Sequence, residues 1–67
     1  MKIILNNEPI IIEGEIITVE KLLKIKKYTF RMRTVKINGR LIDRDKYHSE
    51  TISNGDDVKV IYLMSGG

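Results

Sequence analysis

The sequence has few side chains equipped for covalent chemistry, and the group with the clearest chemical use belongs to the main chain. The last two residues are Gly66-Gly67. An α-carboxylate there is a poor electrophile until one of its oxygens becomes a leaving group, after which it can deliver an acyl group to a nucleophile. Glycine suits both positions because, without a Cβ, its backbone takes dihedrals closed to other residues and passes through a narrow channel. Leu63-Met64-Ser65 before it reads as a partly apolar tether, flexible as chain ends are unless docked. An isolated terminal Gly-Gly is equally a frayed end, so the remaining residues decide between the two.

Other chemistry is thinly represented. His48 stands near Asp43, Asp45 and Glu50, which could sketch a metal site or an acid-base pair. No two of them show a metal-motif spacing and no second histidine exists, so a solvated loop and no metal site are expected. There is no cysteine, which excludes disulfides, thiolate metal sites and a thiol nucleophile. No Ser-His-Asp arrangement, phosphate-binding glycine loop or paired carboxylate stands out. The chain is therefore expected to be acted upon, with no catalytic residues of its own. The segment from Lys24 to Arg33 interleaves cations with Tyr28 and Phe30, a composition that can bind RNA through phosphates and stacking. A small basic RNA-binding domain is thus the alternative from a different class, although the same two aromatics could seat the helix end on the core.

Length and composition bound what can carry these groups. At 67 residues, 42% of them hydrophobic and spread throughout, the chain suits one small globular core. The longest apolar runs, Ile3-Ile4-Leu5 and Ile10-Ile11-Ile12, are too short for a membrane span or signal-peptide core, so a cytoplasmic protein is expected. Charge is segregated: residues 1–20 sum to −3, residues 21–46 to +8 and residues 47–67 to −2. Such a block can attract an anionic partner or merely keep a small domain in solution.

Residue patterning predicts the elements. Lys2 to Leu5 and Ile10 to Glu13 read as a hairpin across Asn6-Asn7-Glu8-Pro9, with Pro9 in the turn or first in the strand. Gly14-Glu15 then breaks the strand. Thr18 reads as a helix N-cap, and Val19, Leu22 and Leu23 repeat at helical spacing up to about Lys27. Thr34 to Asn38 alternates into Asn38-Gly39, a strong hairpin signal, and returns through Leu41 and Ile42. Asp43 to Glu50 reads as a loop with one helical turn, and Ile52 as its apolar anchor. A turn over Asn54 to Asp57 leads into a last strand, Val58 to Leu63. The order is β-β-α-β-β-β. Alternation in the strands and the i, i+3, i+4 pattern of the helix place Ile3, Leu5, Val19, Leu22, Leu23, Val35, Ile37, Val58 and Val60 inward.

These landmarks, in this order and at this length, resemble the ThiS family, the sulfur carriers of thiamin biosynthesis, and more distantly the small subunit of molybdopterin synthase and ubiquitin. The residues that carry the likeness are the Ile-rich hairpin, Thr18-Val19 with Leu22-Leu23, Val35-Lys36-Ile37-Asn38-Gly39, Ile42-Asp43-Arg44 before Tyr47, Gly55-Asp56-Asp57-Val58 and Gly66-Gly67. Asp43 and Tyr47 stand where the family often has Pro and Trp. The resemblance implies an α+β fold: a single β-grasp domain over residues 1–67 with a flexible tail 63–67, in which one main helix lies across a mixed sheet. It implies that the first and last strands are parallel and adjacent at the sheet's centre. It also implies a carrier without bound cofactor. A partner adenylyltransferase would use ATP to activate Gly67, a sulfurtransferase would supply sulfur, and the thiocarboxylate would serve thiazole synthase or another acceptor. Molybdopterin assembly and ubiquitin-like modification remain as alternatives within this fold.

Strand parity adds one expectation about partner docking. If Ile3, Leu5, Val58 and Val60 face the helix, Ile4 and Ile61 face away as neighbours on the open side of the sheet, with Leu63 at the edge of the patch.

Overall fold

The computed structural model describes residues 1–28 and 33–62, with Arg33 and Tyr62 described by their backbone alone. Strand β1 (Lys2–Leu5) turns through Asn6-Asn7 into β2 (Glu8–Ile11). Both asparagines have positive φ, 50° and 71°, which a two-residue turn between right-twisted strands requires and which Asn tolerates. The turn is thus shorter than the expected Asn6-to-Pro9 stretch, and β2 begins two residues before Ile10. Pro9 is accommodated because its main chain points away from β1. Ile12 N donates to Met1 O at 2.9 Å, so the even-numbered residues of this strand face β1 and position 9 faces outward. A missing N–H there costs nothing and blunts the sheet edge against unwanted pairing.

Strand β3 (Ile16–Thr18) leads directly into helix α1 (Val19–Ile25). Lys21 N donates to Thr18 Oγ1 at 3.1 Å, the expected N-cap. At the other end Tyr28 N donates to Leu23 O at 2.9 Å and Lys27 N to Lys24 O at 3.1 Å. This paired closure puts Lys27 at φ 57° and ends the helix two residues before the predicted Lys27. Strand β4 (Arg33–Ile37) then turns through Asn38-Gly39 into β5 (Arg40–Ile42), as expected. One 3-10 turn, Arg44–Lys46, precedes β6 (Thr51–Ser53) and β7 (Asp57–Tyr62). The last strand begins one residue early, so Asp57 belongs to it and not to the turn.

The main sheet has the order β2-β1-β7-β4-β5. Strands β1 and β7 are adjacent and parallel, the remaining neighbours antiparallel, and β7 lies at the centre. This is the β-grasp arrangement that the resemblance implied. A second sheet pairs β3 with β6 antiparallel, and the predicted element order lacked both strands. Each is three residues long, too short to display a period, and the two are held by the Ile17↔Ile52 pair. All nine residues predicted to face inward are buried, joined by Ile12, Ile42, Tyr47 and Ile52. Ile52 is fully buried, which makes it the anchor expected of its segment.

Candidate functional site

The site follows from how β7 is held and where it leads. Its N-terminal end is clamped by short polar side chains. Asn38 Nδ2 donates to Asp56 Oδ1 at 3.1 Å, Asp57 N donates to Asn38 Oδ1 at 2.9 Å, and Ser53 N donates to Asp56 Oδ2 at 2.9 Å. Lys2 N donates to Asn54 Oδ1 at 2.8 Å, and Gly55 N donates to Lys2 O at 2.8 Å. Asn, Asp and Ser are turn formers because their side chains satisfy main-chain groups locally. Here they join two separate turns and the start of β1 into one end of the molecule.

The C-terminal half of β7 needs a different device. Pairing with β1 ends at Leu5↔Val58, where the chain turns away at Asn6. Asn6 N still donates to Val58 O at 2.9 Å, and the Asn6 side chain then accepts Val60 N at Oδ1, 2.8 Å away. The amide side chain replaces the carbonyl that a further β1 residue would have offered, so a part-buried N–H is not orphaned. On the other flank β4 follows β7 to the Arg33↔Tyr62 pair. The sheet therefore carries the chain to Tyr62. Leu63, Gly66 and Gly67 lie outside the described residues, as does the whole predicted tail 63–67.

Register shows what the open face presents. Ile4 and Ile61 do point to the same side, and Ile61 is 44% exposed while Ile4 is half-buried. They are not neighbours, however. Ile4 is opposite Asp57, four residues before Ile61 and about 13 Å away at the usual strand rise. The expectation of one joint patch fails because parity fixes the face of a side chain but not its level along the strand. Ile61 is opposite Thr34, and the next row reads Leu41, Lys36, Lys59 across β5, β4 and β7. Leu41 is 59% exposed, and Lys59 Nζ is 2.9 Å from Asn7 Oδ1 and 4.0 Å from Asp57 Oδ1. Leu41 was not among the predicted docking residues. Counting outward from the Asn38-Gly39 turn would have placed it opposite Lys36 and hence on this face.

The remaining candidates separate. Among the described residues no group of three or more His, Cys, Asp or Glu could hold a metal ion. Glu50 is bound to Arg40 Nη1 at 2.8 Å. His48 and Asp45 line an open groove of about 620 Å³ beside Lys24, Lys27 and Tyr28. Tyr28 packs against the core, seating the helix end there, whereas residues 29–32 of the basic segment, Phe30 among them, lie outside the described residues. No described helix is long and apolar enough to cross a membrane.

Comparison with known proteins gives a consistent result. The model of the ThiS family matches residues 3–67. The chain is similar to a crystal structure of a thiamine biosynthesis protein, ThiS, from Geobacter metallireducens, with 32% identity, a TM-score of 0.89 and the whole of both chains covered. It is similar also to an NMR solution structure of a thiamine biosynthesis protein from the same organism, with 32% identity and a TM-score of 0.79, covering 100% of this chain and 88% of that one. No match is found among curated proteins.

Proposed function

Because this chain belongs to the ThiS family, we propose that it is a sulfur carrier of thiamin biosynthesis whose working group is the α-carboxylate of Gly67. The observation that carries this reading is the family match, which runs through residue 67 and so takes in the diglycine. The fold is compatible with the role, since the central strand leads towards that end and is held by β4 as far as Tyr62 and by the Asn6 side chain as far as Val60.

The chemistry is set by the electrophile. The Gly67 carboxylate attacks the α-phosphate of ATP on a partner adenylyltransferase, pyrophosphate leaves, and an acyl-adenylate results. A sulfurtransferase persulfide then attacks the acyl carbon through its outer sulfur and displaces AMP to give an acyl disulfide; a second thiol attacks the sulfurtransferase-side sulfur of that bond, leaving a disulfide and the thiocarboxylate that is passed to thiazole formation. The chain itself contributes position and recognition, and ATP is bound by its partner. The docking surface for that partner is the open face around Ile61, flanked by Lys59, Lys36 and Leu41. Ile4 serves at most its far edge.

The test is a reconstituted reaction with ATP, the cognate adenylyltransferase and a sulfur donor, read by intact-mass spectrometry. The chain ending on Gly67 should gain one oxygen-to-sulfur exchange. A chain extended by one residue, and Gly67→Val, should fold normally and gain none. Sulfuration of the extended chain at the parent rate without prior trimming overturns the proposal.

A further inference from the structure

Strand register sets two cations side by side on the open face of the sheet. Lys36 in β4 is directly opposite Lys59 in β7. Because Val35, Ile37, Val58 and Val60 are buried, both lysines point away from the helix. Directly opposed residues hold their Cβ atoms about 4.5–5.5 Å apart, and like charges so placed destabilise a sheet. Lys59 has local partners, since its Nζ is 2.9 Å from Asn7 Oδ1 and 4.0 Å from Asp57 Oδ1. Lys36 is half-buried, and among the described residues its side chain forms no ion pair and no hydrogen bond. Among the described side chains of the main sheet, Lys2, Lys36 and Lys59 are turned to this face, and Asp57 is the one acid with them. A pair of opposite charge or of two threonines would join β4 to β7 better, so packing of the fold does not account for two lysines.

We propose that the Lys36–Lys59 pair is the seat of a carboxylate side chain on the partner adenylyltransferase, with apolar side chains around that carboxylate covering Leu41 and Ile61. The sulfur-carrier reading supplies the identity of the partner, and the proposal rests on it to that extent. The chemistry of the occupant is selected by what surrounds the pair. Leu41 is opposite Lys36 on the β5 side, and Ile61 lies two residues beyond Lys59 on the same face. They are 59% and 44% exposed. A wholly apolar partner surface would strip water from two cations without a counter-charge, and a basic one would add a third positive charge. A free phosphate would answer the cations but leave both aliphatic side chains in water. An acid set among apolar side chains answers the charge and the aliphatic frame together.

The position of the seat suits such a grip. Lys59 is three residues before Tyr62, about 10 Å at strand rise, so an anchor there holds the folded body close to where the chain leaves the sheet. Lys59 is on the central strand and Lys36 on its neighbour β4, both paired along their length, so the two cations stand on main chain that is fixed before the partner arrives. The same arrangement sets stability of the free chain against affinity. Relieving the repulsion helps the sheet, and it also removes the charge that the carboxylate meets.

Substitution at Lys36 should therefore move the two quantities in opposite directions. In thermal melts of the free chain at low salt, Lys36→Gln should melt at or above the parent, and Lys36→Glu, facing Lys59 with the opposite charge, should melt above it. In titration calorimetry with the cognate adenylyltransferase the order should reverse. Lys36→Gln should bind about tenfold more weakly, Lys36→Glu about a hundredfold, and Lys36→Arg within about threefold of the parent. Raising the salt from about 50 mM to about 500 mM should weaken the parent and narrow its lead over Lys36→Gln. Charge variants that bind as tightly as the parent overturn the proposal, as does a Lys36→Glu chain that melts below it. So does tighter binding of a single-stranded RNA oligonucleotide than of the enzyme, lost in Lys36→Glu, which would give the pair to a nucleic acid. Oxygen-to-sulfur exchange on the parent is read separately by intact mass. Its presence together with indifferent variants refutes the carboxylate seat alone, and its absence refutes the carrier reading.

Discussion

Asn6 makes a contact whose loss can be isolated by substitution. Its backbone has φ 50° and its Oδ1 receives the Val60 amide at 2.8 Å in a part-buried setting. Asn6→Gly removes the acceptor but keeps the left-handed conformation accessible. Relief of residual turn strain and the greater freedom of the unfolded chain act in opposite directions, each about 1 kcal/mol or less. What remains is the lost hydrogen bond, about 1 kcal/mol net, plus part of the penalty of about 1–3 kcal/mol for an unsatisfied donor, reduced because water reaches a part-buried site. The sum is about 1–2 kcal/mol, which for a domain of this size lowers Tm by roughly 4–16 °C. Asn6→Asp retains both the acceptor and tolerance of the turn geometry, so it should melt close to the parent. Thermal melts followed by circular dichroism give the stability, and amide hydrogen exchange at Val60 should accelerate in Asn6→Gly beyond the global change. A glycine variant with the parent Tm and Val60 protection would refute the reasoning, as would an aspartate variant that falls equally far.

Further outcomes follow from the same contacts. Leu23→Ala should cost about 2–5 kcal/mol, nearer the lower figure because Leu23 also borders the groove beside Tyr28, and a melt matching the parent would remove it from the core. Thr18→Ala deletes the acceptor for Lys21 N and should cost about 1 kcal/mol, measured by urea denaturation. Lys27→Gly relieves a left-handed lysine at the helix end and should stabilise by about 1 kcal/mol once the added freedom of the unfolded chain is subtracted; a lowered Tm would contradict that account. Ile61→Asp should leave the melt nearly unchanged, since the side chain is substantially exposed, while reducing affinity for the adenylyltransferase at least roughly tenfold in titration calorimetry.

The five strands of the main sheet and the helix were legible because each carries a strong local signal. Thr18 with Val19, Leu22 and Leu23 announces a helix, and Asn38-Gly39 announces a hairpin whose φ values are 52° and 82°. Burial of the predicted core follows from strand parity and, for Val19, Leu22 and Leu23, from helical spacing. The pairing of β3 with β6 was not legible, because Ile16–Thr18 and Thr51–Ser53 are too short for a period and gain their hydrogen bonds only once the 32 residues between Thr18 and Thr51 have folded back. The start of β2 was misplaced because Asn6-Asn7 forms a tighter turn than Asn-Asn-Glu-Pro suggests. At the site, the separation of Ile4 from Ile61 depends on β1–β7 register, which is held by Lys2 N donating to Asn54 Oδ1, Gly55 N donating to Lys2 O and Ile4 N donating to Asp56 O. No period in the sequence encodes that level.

The division of labour in the proposed carrier follows from how little the reacting end can contribute to binding. Glycine has no side chain, so Gly66 and Gly67 offer a partner only main-chain contacts, and discrimination among carriers must come from the folded body. The five residues after Tyr62 span at most about 18 Å when fully extended. An enzyme that grips the body at Ile61, Lys59 and Lys36 must therefore place its acyl-activating centre within that reach of the last sheet residue. Error in the exit of β7 would shift the point from which that reach is measured, and reacting atoms must be brought within a few ångströms of one another. Main-chain clamping of β7 on both flanks, by Asn6 on one side and β4 on the other, limits that error at its source. It explains why an asparagine side chain is spent on a strand that β1 has already left.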